Sequence, residues 1–232
     1  MRWLVVLLIL SLAGCATKMG KDGRTQTTVD AKYLVKSDVD RIAETDRAEV
    51  IGGLLLIADK LYKRNPKEWK KGTAVSREVA VDRLRQRNSR SWPEFGGLRE
   101  RQAAALAFSG AYDGDRVAAL AYGLLTMVDA AFEHKEEFYI LDSLDETKLH
   151  NCARNMEIAV WKLSTDRDAT GDFYLLSNEL DPANRNISFE REFGRITGLL
   201  DFMAKIVADR NGRTLSRTVQ AIATMIFLPI SF

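Results

Sequence analysis

The sequence predicts an all-α protein, an irregular helical bundle or helical stack of about seven helices. Three observations predict it. Apolar residues recur at three- and four-residue steps through most of the chain, which is the spacing of one helix face. Only four prolines occur in 232 residues. β-branched residues rarely run together as a strand would require.

Each element follows from local signals. Ser37-Asp38-Val39-Asp40 is close to a capping box and opens the first helix. Val39, Ile42, Ala43, Val50, Ile51, Leu54, Ala58 and Leu61 form its apolar face, and Asn65-Pro66 stops it. A second helix is predicted over Val75 to Arg87, and a third, alanine-rich, over Leu98 to Gly110. After the Asp113-Gly114-Asp115 turn, Val117, Leu120, Ala121, Leu124, Val128 and Phe132 mark a fourth that reaches toward Leu141. Ser143-Leu144-Asp145-Glu146 reads as a capping box for a fifth helix ending near Leu163. Ser164 to Asn186 is irregular, with a short helix expected over Phe173 to Leu180. Phe189, Phe193, Ile196, Leu200, Met203 and Val207 give the cleanest amphipathic helix, ended by Asn211-Gly212. Thr214 to Leu228 is the last, and Ile226, Phe227, Leu228, Ile230 and Phe232 form an apolar end that either closes the core, the favoured reading, or docks on a partner or membrane surface.

The chain divides unevenly. Residues 1–14 carry one basic side chain, Arg2, then an apolar run from Leu4 to Leu12 and small residues before Cys15. That layout is a secretory signal, and the run is well short of the ~20 residues a helix needs to cross a bilayer. Residues 15–36 are polar and contain two glycines after the cysteine, so they read as a flexible tether. Residues 37–232 form a single α-helical domain.

Leu12-Ala13-Gly14-Cys15 resembles the lipobox of bacterial lipoproteins at all four positions. The resemblance covers only this segment. It implies a diacylglyceryl thioether on Cys15, cleavage after Gly14, and a membrane-held mature chain beginning at Cys15. Two or more acyl chains anchor stably where one does not. Ala16 stands where the class uses aspartate for inner-membrane retention, which implies an outer-membrane, periplasm-facing location. Separately, LYKRNPKEW around Pro66 resembles the end of a tetratricopeptide repeat, but no second copy follows at a period near 34 residues.

Charge excludes one broad class. The chain holds 34 basic and 32 acidic side chains, so no global field favours nucleic acid. Cys152 is the one cysteine left if Cys15 is lipidated, which removes an intrachain disulfide. It reads as a small core residue, because His150 and Cys152, two helical steps apart, point to nearly opposite faces.

Three constellations remain. Asp166, Asp168, Thr170 and Asp172 resemble part of an EF-hand loop, with Gly171 at the sixth position, which implies calcium. Ser177 stands at the twelfth position, where that loop needs a bidentate glutamate. A capped turn between helices explains the same residues without metal. Arg83, Arg85, Arg87 and Arg90 belong to a basic segment that would suit an anionic partner, or a solvated helix pair with internal ion pairs. Glutamates surround His134 and precede His150, but no HExxH or paired-cysteine spacing supports zinc. No other cofactor is implied. The expected function is a lipid-anchored envelope protein that binds a protein partner or peptidoglycan without catalysis. The alternatives are a peptidoglycan-directed enzyme and a calcium-binding helical lipoprotein. The Glu-Ser pair of helical lytic transglycosylases and a G-x-S-x-G elbow are both absent from the sequence.

Overall fold

The computed structural model describes residues 36–89, 92–139, 142–179, 181, 183–212 and 230, and the backbone of residues 17–19 and 25–27. Among the described residues there are six α-helices: α1 (Asp38–Arg64), α2 (Arg77–Arg85), α3 (Glu100–Leu106), α4 (Arg116–Ala131), α5 (Glu146–Thr165) and α6 (Ser188–Arg210). Short 3-10 turns lie at Trp69–Lys71 and Pro93–Phe95. The predicted helix over Thr214 to Leu228 lies outside the described residues. Within the stretch read as a tether, β1 (Thr17–Met19) pairs antiparallel with β2 (Thr25–Thr27), Lys18 opposite Gln26.

Four helices close a ring: α1 packs on α4, α4 on α5, α5 on α6, and α6 back on α1. Cross-helix bonds fix their directions. Tyr62 reaches Asp115 at one end of the α1–α4 seam and Arg47 reaches Asp129 at the other. Lys60 reaches Ser188 and Arg210 reaches Asp40 along α1–α6. Arg154 bonds Asp201, and Asn211 bonds Glu146, along α5–α6. Every adjacent pair is antiparallel, so the body is an up-down-up-down bundle. α2 packs on α1 and α4, and α3 packs on α4. With neighbours on so many sides, every residue of α4 except Arg116 is buried, as its almost wholly apolar sequence requires.

Local chemistry sets the ends. The Ser37–Asp40 capping box forms as expected. The fifth helix instead takes Asp145 as its cap, whose carboxylate accepts from the amides of Thr147 and Lys148. Leu144 packs against the core, and Ser143 lies two positions before the cap. α4 stops at Ala131, short of the expected extension toward Leu141, because Glu133 and His134 adopt left-handed φ of 53° and 56°. That turn returns Phe138 to the core, where its ring lies 6.1 Å from that of Phe132. The short helix expected over Phe173 to Leu180 does not form. Isolated bridges, Arg167 with Phe173 and Glu179 with Asn186, organise that stretch instead. Ile230 is 1% exposed and joins the core, while Ile226, Phe227, Leu228 and Phe232 lie outside the described residues.

Glycine lets two helices meet closely. A Cβ on Gly123 of α4 would lie 2.4 Å from the Ala104 amide nitrogen and 2.6 Å from the Glu100 carbonyl oxygen of α3. The α3 C-terminus is closed by Arg116, whose Nη1 donates to the carbonyls of Ala107 at 3.1 Å and Ser109 at 2.8 Å. This satisfies acceptors that a seven-residue helix leaves open.

Candidate functional site

The starts of α1 and α5 and the ends of α4 and α6 meet at one end of the bundle. There they frame a polar depression of about 690 Å³ lined by Glu133, Lys135, Asp142, Asp145, Glu146 and Asn211, among others. It adjoins a more apolar hollow of about 320 Å³ lined by Val39, Ala43, Phe138, Leu144 and Val207, with Asp40 and Arg210 at its polar edge. Asp142, Ser143, Leu144 and Asn211 line both.

The carboxylates around this end are engaged. Lys135 bonds Asp142 and holds its carboxyl below the usual range. Lys148 meets Glu133 at 2.9 Å, and buried Glu146 accepts from Asn211 at 3.0 Å. Burial pushes Asp40 upward, but the Ser37 amide and hydroxyl and Arg210 outweigh it, so this carboxyl is also lowered. The chain enters the bundle at the same end. Lys36 meets Glu44 at 2.5 Å, and Glu44 also accepts from the Phe138 amide at 2.8 Å. The residue that leads into α1 and the loop after α4 are therefore tied to one carboxylate.

A second polar centre is sealed inside. Asp129 of α4 is 0% exposed and accepts from Arg47 at 2.8 Å, from Arg87 at 2.7 and 2.6 Å, and from Asn88 at 3.0 Å. Burial opposes its charge, yet the bonds and charge of Arg87, with Asn88 and Arg47, override burial and keep its pKa low. Arg47 and Arg87 are themselves 8% and 5% exposed. This cluster pins α1, α4 and the end of α2 together.

The basic segment is thus divided. Arg87 points inward to Asp129. Arg83 pairs with Glu94 at 2.5 Å and its guanidinium lies 4.1 Å above the Trp92 ring. Arg85 faces solvent, with Asp82 at 4.0 Å. Arg90 lies outside the described residues, as do Cys15 and Gly14.

The loop after α5 is a tight turn. Asp168 accepts from the Thr170 amide and hydroxyl and from the Asp172 amide, and the Thr170 hydroxyl is the chief cause of its lowered pKa. Asp166 pairs with Lys162 at 2.8 Å. The Ser177 hydroxyl is buried and donates to the Leu163 carbonyl at 3.2 Å. The four candidate calcium positions therefore carry local bonds. Among the described residues, no group of three or more His, Cys, Asp or Glu side chains is placed to hold a metal ion. His134 is exposed, while His150 approaches Asp201 at 3.6 Å. Cys152 is fully buried, and burial drives its thiol far above the ordinary range, as a core residue requires.

Asp46 is the poorly solvated carboxylate of α1. It is buried, its Oδ2 has no hydrogen-bond partner, and burial pushes its pKa up to about 7. A raised folded-state value means native Asp46 holds its proton longer than the unfolded chain does. Its contribution is fully present below the unfolded value of 3.8 and is lost as pH rises through about 7. A shift of that size corresponds to about 4 kcal/mol, of which asparagine recovers part, because its amide stays buried. Asp46→Asn is expected to stabilise the protein by about 2 kcal/mol at pH 8 and to change little near pH 4. Thermal melts at the two pH values check it.

No protein-family model, no curated protein and no solved structure matches the chain. Among the described residues, no helix is long and apolar enough to cross a membrane.

Proposed function

We propose that the protein is a lipid-anchored component of a bacterial envelope that acts as a binding or assembly factor for a protein or peptidoglycan partner. The observation that carries this reading is Leu12-Ala13-Gly14-Cys15 behind its apolar run. On this reading Cys15 bears the lipid, the periplasmic side of the outer membrane is the location, and residues 16–36 connect the anchor to the bundle. The entry point at Lys36 supports it. The polar depression opens at the end of the body that Lys36 enters.

The test is Cys15→Ser in the native host. The wild-type chain is expected in the membrane fraction, carrying labelled fatty acid. The variant is expected to lose the label and leave that fraction. In-cell crosslinking of both chains then identifies the partner. One dominant neighbour, weakened in the variant, supports an anchored assembly factor. A variant that stays membrane-bound overturns the anchor.

A further inference from the structure

Lys60 and Ser188 stand 128 positions apart in sequence and meet at 2.6 Å, Nζ to Oγ. The pairing is electrostatically unusual. Ser188 is the first residue of α6, a helix of 23 residues, so Lys60 sits at the positive end of a long helix dipole, where a cation is disfavoured. Ile187, the capping residue, has no side-chain oxygen, and the Ser188 and Phe189 amides donate instead to Asn186 Oδ1 at 3.0 Å and Asn178 Oδ1 at 3.3 Å. The stem of Lys60 is partly buried and its Nζ lies 4.5 Å over the Phe189 ring. Its nearest polar partner is a hydroxyl and not a carboxylate.

We propose that Lys60 and Ser188 form a serine–lysine pair that accepts acyl groups, with Ser188 as nucleophile, Lys60 as general base, and an ester of an apolar acyl chain as substrate class. Three further observations support it. Burial lowers the Lys60 pKa, so more of the amine is neutral at a given pH. The dipole of α6 favours negative charge beside Ser188, where the carbonyl oxygen of the ester under attack would become an oxyanion. Two exposed apolar side chains flank the pair: Leu56, one turn before Lys60 on α1, and Ile187, directly before Ser188, each 47% exposed. They offer the surface on which an acyl chain would lie. A serine activated by a lysine is a recurring variant of the serine nucleophile.

The chemistry balances with water as the second reactant. The Ser188 oxygen bonds to the acyl carbon while its proton passes to neutral Lys60. The bond to the alcohol then breaks, and the ammonium returns that proton to the leaving oxygen. Water attacks the acyl-serine and gives one proton to Lys60. Lys60 passes it to the departing Ser188 oxygen, which frees acid and enzyme. The charged groups nearby in sequence are Asp59, Lys63 and Arg64 on α1 and Glu190, Arg191 and Glu192 on α6. Glu192 raises and Arg191 lowers the lysine pKa, and burial outweighs both. Glu179, on the connection to α6, pairs with Arg64 at 3.5 Å.

The experiment treats the full chain with an alkyl fluorophosphonate and with p-nitrophenyl butyrate, and maps adducts by peptide mass spectrometry. The expected result is one phosphonate adduct on Ser188, absent in Ser188→Ala. Its rate should rise with pH below the ordinary lysine range. Lys60→Arg keeps a cation that donates to Ser188 but cannot act as a base at these pH values. It should melt like the wild type while labelling about 100-fold more slowly. A folded chain with no adduct on Ser188 overturns the proposal, and so does equal labelling of the Lys60→Arg variant. The pair involves neither Cys15 nor the polar depression, so neither result bears on the anchor.

Discussion

Replacing Asp129 with asparagine is expected to cost about 3–5 kcal/mol of stability. The native carboxylate serves two guanidiniums at once, those of Arg47 and Arg87, in a place water does not reach. Asparagine is nearly the same shape but leaves both cations buried without a counter-charge, and it adds two donors where acceptors are needed. The urea midpoint should fall with little change in slope. A control follows from the same physics. Replacing Arg47, Arg87 and Asp129 together with apolar residues of similar volume should cost far less, because no buried charge is left over. Acid should imitate the single substitution. The folded pKa of Asp129 lies below the ordinary carboxylate value, so its contribution is intact above 3.8 and is lost as pH falls toward the lowered value.

Gly123→Ala is expected to cost about 3 kcal/mol, at the upper end of overpacking changes. The added methyl would stand 2.4 and 2.6 Å from backbone atoms of α3, and backbone cannot swing aside as a side chain can. α3 is also fixed from the other direction. Glu100, at φ 48°, donates its amide to the Thr126 hydroxyl at 2.8 Å, one turn along α4 from the glycine. Separating the helices would break that bond. Gly198→Ala on α6 is the counter-example, because nothing lies within 4 Å of its added Cβ. Helix propensity alone should make it neutral or stabilising by up to about 1 kcal/mol. Opposite signs for the same substitution, measured by denaturant titration, check the crossing geometry.

The helices were legible where one face alone is buried. The α6 pattern from Phe189 to Val207 marked a helix correctly because 3.6-residue spacing is its own signature. The α1 capping box was legible because it is written within four residues. The loop after α4 was not, since nothing local at Glu133 and His134 demands a left-handed turn. Their conformation follows from the distant requirement that Phe138 reach the core. The basic segment was misleading for a related reason. Arg83 and Arg87 look alike in sequence, and only the fold sends one to a tryptophan face and the other to Asp129. One signal was present: Asp129 is the single charge between Val117 and Phe132, in a run otherwise suited to complete burial. An acid in such a place needs a partner. The pairing of Lys60 with Ser188 left no local trace, because two ordinary residues so far apart make no motif.

The closing of the helical ring also has a consequence for synthesis. The α3–α4 and α5–α6 pairings join neighbours in the chain and can form as soon as both members emerge. The α1–α6 seam cannot, since Lys60 waits for Ser188, made 128 positions later. At about 5–20 residues per second, that delay is roughly 6–25 s. Through that interval the apolar stripe of α1 that α6 will cover has no mate, and the nascent chain is most exposed to aggregation and to capture by chaperones.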